Sequence, residues 1–171
     1  MKLLATALAA VVLAMPAAAQ DFQGPWVEAR LGWDQVEGSS GLVYGGGAGY
    51  DFKLGKSLVL GVQGGIAGST IRECALGVCA NAGRDFEVLA RFGGKVTDTS
   101  LLYALAGYAN GRVAANDGFT AIAFNLDGYR LGAGYELAFN RHLFAKAEYR
   151  YTGYDFDVDR HQVTASIGYR F

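Results

Sequence analysis

The sequence predicts an all-β fold in which eight antiparallel strands close into an up-and-down barrel. Three observations carry that expectation. Apolar and polar residues alternate one for one along almost the whole chain beyond residue 20, the mark of strands whose two faces meet different surroundings. Glycine is abundant (25 of 171 residues), Tyr and Phe number 10 each, and Pro only 2, a composition that suits long paired strands. The connections between the alternating runs are short, then long, in regular succession.

The N-terminus stands apart from this pattern. Met1 and Lys2 give a short positive start, residues 3–15 form an apolar run, Pro16 breaks it, and Ala17-Ala18-Ala19 supplies small side chains. This is the layout of a cleavable secretory signal peptide, expected over residues 1–19. The run is too short to cross a bilayer as a helix, which takes roughly 20 apolar residues. One domain is expected over residues 20–171. Without Lys2 it carries 14 basic and 16 acidic residues, net −2, which argues against a nucleic-acid partner.

The eight strands read in order. Val27, Ala29, Leu31 and Trp33 alternate with Glu28, Arg30, Gly32 and Asp34. Tyr44, Gly46, Ala48, Tyr50 and Phe52 alternate with Gly45, Gly47, Gly49, Asp51 and Lys53. Leu58, Leu60, Val62 and Ile66 oppose Gly61, Gln63 and Gly65, and Phe86, Val88, Ala90, Phe92 and Val96 oppose Glu87, Arg91, Gly93 and Lys95. The fifth run, about residues 101–112, has a weak phase. Tyr103 and Leu105 fit the apolar face and Asn110 and Arg112 the polar one, but Tyr108 falls on the polar side. Tyr129, Leu131, Ala133, Tyr135 and Leu137 then oppose Arg130 and Glu136, and Leu143, Ala145, Ala147, Tyr149 and Tyr151 oppose Lys146, Glu148 and Arg150. The last run sets Val163, Ala165, Ile167, Tyr169 and Phe171 against Gln162, Thr164, Ser166, Gly168 and Arg170.

Tight turns are expected at residues 54–56, 97–99 and 139–141, and longer polar stretches at 37–41, 69–84, 113–125 and 153–160. Membrane barrels combine short periplasmic turns with long external loops in this order. Gly47-Ala48-Gly49-Tyr50-Asp51 and Gly132-Ala133-Gly134-Tyr135-Glu136 are near copies, each leading into a tight turn. Alternation alone does not say which face is outside, since soluble barrels also alternate. The aromatics decide, because Trp26, Trp33, Tyr50, Phe52, Tyr135, Tyr149, Tyr151, Tyr169 and Phe171 cluster near strand ends as an interfacial girdle does. Charges of both signs occupy the other face in mid-strand.

The last strand ends on Phe171, with Tyr169, Ile167, Ala165 and Val163 in the same phase. It resembles the C-terminal assembly signal of bacterial outer-membrane proteins, which barrel-assembly machinery reads in those proteins. With the signal peptide and the Gly-Ala-Gly-Tyr hairpins, residues 20–171 resemble the small opacity-type, OmpA-like outer-membrane barrels. That resemblance implies a barrel domain in the cell outer membrane, with outer-membrane lipid and lipopolysaccharide as surroundings. Nothing follows Phe171, so a periplasmic peptidoglycan-binding domain is not expected.

An eight-stranded barrel has an interior that side chains just fill. Glu28, Arg30, Glu87, Arg91, Lys95, Arg130, Glu136, Lys146, Glu148, Arg150 and Arg170 are therefore expected to form a charged network in the lumen. Asp51, Lys53, Gln63 and Arg112 share the expected phase. Unpaired charges are untenable there, so a salt-bridged plug is expected. Cys74 and Cys79 lie close together in the second long connection, and an oxidising compartment favours a disulfide. A metal site would need two more ligands. His161 lacks a nearby Ser in the same phase and His142 sits beside a tight turn with Asn140 and Arg141, so no nucleophile–base set is expected. Asp155, Asp157 and Asp159 lack the Gly and distal Glu of a calcium loop, and residues 45–49 lack the following helix of a nucleotide loop. No cofactor is expected.

The favoured expectation is a non-enzymatic surface barrel that contributes to the envelope and meets the outside through its loops. The alternative is a small channel gated by Arg91, Arg130 and Arg150 against Glu87, Glu136 and Glu148. A lipid-modifying enzyme ranks third.

Overall fold

A computed structural model describes residues 21–171 except 37, 76–77, 117–120 and 156–157, with the side chains of 72–82 and 113–123 also outside the description. The expected signal peptide lies outside the described residues. Within them run β1 (Gly24–Val36), β2 (Ser39–Leu54), β3 (Leu58–Ser69), β4 (Arg72–Ala75), β5 (Val78–Thr97), β6 (Ser100–Asn116), β7 (Ala121–Ala138), β8 (Leu143–Tyr154) and β9 (Val158–Arg170).

Each strand pairs antiparallel with its neighbours, and two non-sequential ladders close the cylinder. Strand β1 pairs with β9 from Trp26↔Arg170 to Val36↔Arg160, and β3 pairs with β5 from Leu58↔Gly94 to Gly68↔Arg84. The short β4 continues the line of β3 and pairs only with the far end of β5, so eight walls surround the lumen. Around the eight-walled part of the described chain, closure leaves no strand edge with unpaired N–H and C=O groups, the condition for crossing a bilayer without helices.

Burial is inverted relative to a soluble protein. Leu31, Ile66, Val88, Leu131 and Ile167 are 48–66% exposed on the outer wall, while all the charged groups inside are 7% exposed or less. Such an apolar exterior around a polar interior is that of a transmembrane barrel. Tyr50, Phe52, Tyr135, Tyr169 and Phe171 border the belt toward the tight turns, and Trp33, Tyr44, Phe86, Tyr108 and Tyr129 border it toward the other end. A spanning strand needs only about 9–11 residues. The 20 residues of β5 and 18 of β7 therefore carry their hairpins well beyond the belt.

Three sequence expectations need correction. The fifth wall, β6, has the opposite phase: Leu101, Tyr103 and Leu105 point inward at 3% exposure or less, and Leu102 and Tyr108 point out. Consequently Arg112 lies on the outer face. Trp26, expected in the girdle, is an interior residue at 1% exposure. The expected long loops at 69–84 and 113–125 are mostly extended hairpin (β4–β5 and β6–β7), and the first connection is only two residues, between Val36 and Ser39.

Volume explains the inward aromatics. Each inward aromatic of the described strands lies across from a glycine on the neighbouring strand: Trp26 opposite Gly49, Tyr103 opposite Gly134, Phe144 opposite Gly168, and Tyr154 opposite Gly128. A Cβ on Gly168 would stand 2.1 Å from the Phe144 ring and 2.7 Å from the Val27 carbonyl oxygen. Gly168→Val is therefore expected to cost about 1–3 kcal/mol by overpacking. The outward Ala165→Val, two residues earlier on the same strand, should change little. Urea unfolding of the refolded protein in detergent, followed by Trp fluorescence, checks the pair.

Candidate functional site: the charged lumen

Alternation brings one side chain in two to the lumen, and the resulting ladder is ordered by level. At the end of the tight turns Phe22, Val59, Leu101, Tyr103 and Ala138 pack as an apolar cluster, so the tube begins with a hydrophobic stopper. Phe22 precedes β1 and is fully buried.

Above it four charges form a closed ring. Arg170 donates to Asp51 at 2.8 Å and to Glu136 at 2.7 Å, while Arg91 donates to Glu136 at 2.8 Å and sits 3.4 Å from Asp51. These residues come from β9, β2, β7 and β5, so the ring ties together four separate walls. Aromatic faces complete it, with the Arg91 guanidinium 4.2 Å from the Tyr103 ring centre and 5.6 Å from that of Trp26. Lys146 lies 3.3 Å over Trp26 and pairs with Glu28 at 2.9 Å. Such cation–π contacts gain strength when desolvated.

The middle and outer levels centre on Glu87. Its carboxylate accepts from Arg30 at 2.5 Å, Arg130 at 2.5 Å and Arg150 at 2.8 Å. Arg150 also donates to Glu148, whose other oxygen accepts from the Tyr103 hydroxyl at 2.5 Å. Arg130 reaches Thr152 and Asp85, each at 2.7 Å. Arg160 extends the chain, donating to Asp85 at 3.0 Å and holding Asp34 through two bonds at 2.7 and 2.8 Å. The fork of each guanidinium suits this sharing between carboxylates.

Counted over the described interior, seven basic groups (Arg30, Arg91, Arg130, Lys146, Arg150, Arg160, Arg170) meet seven acidic ones (Glu28, Asp34, Asp51, Asp85, Glu87, Glu136, Glu148). The lumen is charge-neutral. Lys95, placed by the sequence pattern within this network, instead sits half-buried at the mouth beside the tight turns, its amine 5.4 Å from the Phe22 ring centre. Lys53 is also at that rim and pairs with exposed Asp21 at 2.5 Å. The hydrogen bond and charge of Lys53 lower the Asp21 pKa. Sequence reasoning missed Asp34, Asp85 and Arg160 as network members. Asp34 was in the inward phase, and Arg160 is a strand residue at the start of β9 where a loop was expected.

The remaining candidates are placed as follows. The backbone register sets Cys74 opposite Cys79 in the β4–β5 hairpin. His161 is on the outer wall with Nδ1 2.7 Å from the Tyr149 hydroxyl, whereas Ser166 faces the lumen. His142 stacks on Tyr169 with ring centres 5.2 Å apart. The Phe171 N–H donates to the Pro25 carbonyl at 3.0 Å, which fastens the chain end to the start of β1. Asp159 accepts from Tyr151 at 2.6 Å. No group of His, Cys, Asp and Glu suited to a metal occurs among the described residues.

A closed barrel with an apolar exterior, aromatic borders and a paired-ion interior defines an outer-membrane barrel protein. The chain belongs to the outer membrane protein beta-barrel domain family, whose sequence profile matches residues 4–171. It is a protein of the cell outer membrane. Among curated relatives it is 32% identical to the 31 kDa outer-membrane immunogenic protein of Brucella melitensis, over 81% of this chain and 72% of that one. It is 28% identical to the 25 kDa outer-membrane immunogenic protein of Brucella ovis, over 72% of this chain and 61% of that one. The match therefore spans under two thirds of the latter relative's length. In fold it is similar to Ail, the attachment invasion locus protein of Yersinia pestis (TM-score 0.67, 18% identity, 88% of this chain and 100% of that one). Neisserial surface protein A is similar to the same degree (TM-score 0.67, 16% identity, 86% and 97%).

The three-way convergence on Glu87 gives a test of the network. Glu87→Gln leaves Arg30, Arg130 and Arg150 short of one anion. A stability loss of about 3–5 kcal/mol is expected, as for any buried pair broken from one side. Asp21→Asn, which removes only the exposed Lys53 pair, should cost under about 1 kcal/mol. Urea midpoints of the two variants in detergent make the comparison.

Proposed function

We propose that this chain is a non-enzymatic surface barrel of the outer membrane, with a sealed lumen and its outward contacts made through the hairpins beyond the belt. The observation that carries the reading is the neutral interior of seven cations and seven anions above an apolar stopper. A neutral filling cross-linked by shared ion pairs offers a passing ion no net attraction and must break several of them to open. Nothing in the lumen then needs to move for the protein to work. The long β4–β5 and β6–β7 hairpins become the surface that other molecules meet. The word immunogenic in the names of two relatives fits hairpins displayed outside the cell. Lipid and lipopolysaccharide surround the wall in this reading, the barrel-assembly machinery engages the strand ending at Tyr169 and Phe171, and Cys74 and Cys79 form a disulfide within their hairpin.

A narrow ion path is the second reading. It is favoured by Gln63, Thr164 and Ser166, whose buried side-chain oxygens have no partner among the described residues. Planar-bilayer recording of the refolded protein separates the two. The sealed barrel gives no steady openings once insertion is confirmed, whereas reproducible openings would establish the path and overturn the plug.

Orientation is tested on whole cells. In a background carrying Cys74→Ser and Cys79→Ser, a membrane-impermeant maleimide should label Asp155→Cys, beyond β8, and leave Asp98→Cys, in a tight turn, unlabelled. The reverse pattern would overturn the proposed display of the hairpins.

A further inference from the structure

Among the described residues the lumen's charges are all paired, but two cations on the outer wall of the strands lie outside that network. Arg84 on β5 and Arg112 on β6 are exposed, and neither has an ion-pair partner among the described residues. They are neighbours by construction. The β5–β6 ladder runs Ala82↔Val113 and then Asp85↔Gly111, so Gly83 and Arg84 together oppose Arg112. This is a β-bulge, a device that re-aims side chains at a barrel rim. Gly83 is required there, because a Cβ would stand 2.7 Å from the Arg112 carbonyl oxygen. The bulge sets both arginines on the same outward face.

Their level is fixed by what lies beneath. The Arg84 guanidinium packs 5.1 Å over the ring of Phe86, and Phe86 and Val88 are the last apolar outward residues of β5 before it. The pair therefore stands at the external edge of the belt, where lipid headgroups begin. Beside it Asn110, directly across from Phe86, donates to Asp127 at 2.5 Å, and the Tyr108 hydroxyl donates to the same oxygen. The wall at β8 and β9 differs at that height. There Tyr149 is bonded to His161 and Tyr151 to Asp159, with no cation among them.

We propose that Arg84 and Arg112 hold the phosphate of one glycolipid of the external leaflet, with Asn110 and Asp127 facing its sugar and the acyl chains lying on Phe86 and Val88. Guanidinium forks match phosphate oxygens in geometry and charge. A sugar presents hydroxyls that a carboxylate and an amide can bind. The site is on the lipid-facing wall rather than on the hairpin tips, so a membrane amphiphile reaches it by lateral diffusion. The inference rests on the orientation proposed above, which places this end of the barrel in the external leaflet.

Native mass spectrometry of the refolded full barrel in detergent, titrated with bisphosphorylated lipid A or with the same lipid stripped of phosphate, tests it. The phosphorylated form should bind one equivalent at least about tenfold more tightly, a modest return for two charge-assisted contacts. Arg84→Gln combined with Arg112→Gln should erase that preference, while Lys56→Gln, at a tight turn, should keep it. Heat-modifiable gel migration confirms that each variant is folded, and the two-lipid comparison on the unaltered protein stands without any variant. Equal binding of both lipids, an undiminished preference in the double variant, or displacement by millimolar inorganic phosphate would each overturn the proposal, the last by showing a simple anion site. Reversed maleimide labelling on cells would instead refute the orientation while leaving the detergent result intact.

Discussion

Fourteen charged side chains of the described residues share a tube too narrow for bulk solvent, and the rest of the structure depends on their being neutralised inside it. A single uncompensated charge there costs several kcal/mol, comparable to much of the stability of a small domain. The network solves this by sharing rather than by simple pairing. Glu87 serves three arginines, and Arg160 serves two aspartates. Such sharing makes the filling a cross-link between walls that are far apart in sequence. The Arg91–Asp51–Arg170–Glu136 ring alone joins β5, β2, β9 and β7.

Long interior side chains need somewhere to lie, and glycine supplies the room. A Cβ on Gly65 or Gly47 would stand 2.2 or 2.8 Å from the Arg30 guanidinium, closer than the two can pack. The same holds for Gly61 against Arg91 and for Gly134 against Tyr103. The glycine content of the strands is thus the complement of their arginine and aromatic content. A flexible residue usually weakens a strand. Here the loss is offset by the ion pairs that fit only because the opposite wall has been cut back.

That complementarity also explains what the sequence revealed and what it hid. Alternation placed Glu28, Arg30, Glu87, Arg91, Arg130 and Arg150 on one face because their neighbours are apolar and the contrast is sharp. It failed in β6, where Leu101, Leu102, Tyr103, Ala104, Leu105 and Ala106 are apolar in both phases, so polarity carried no information. Size carried it instead. Tyr103 and Leu105 face Gly134 and Gly132 across the β6–β7 ladder, and the small Ala residues turn outward. Trp26 was misread for the same reason, since an aromatic near a strand end suits a girdle unless the glycine opposite it is noticed. Arg160 and Asp34 were obscure because their pairing spans 126 residues, and no local pattern encodes which distant walls a closed barrel will bring together.

Closure of the lumen moves the search for chemistry to the surface. A side chain inside is committed to its neighbours, and altering it changes stability before it changes anything else. On the outer wall the constraint is reversed, because an apolar residue there needs only lipid and a charged one needs a reason. Arg84 and Arg112 are charged, unpaired among the described residues, and held by a bulge that costs the ladder regular pairing. Inside the barrel a cation is explained by the anion beside it. Outside, in the proposed site, the anion comes from the membrane.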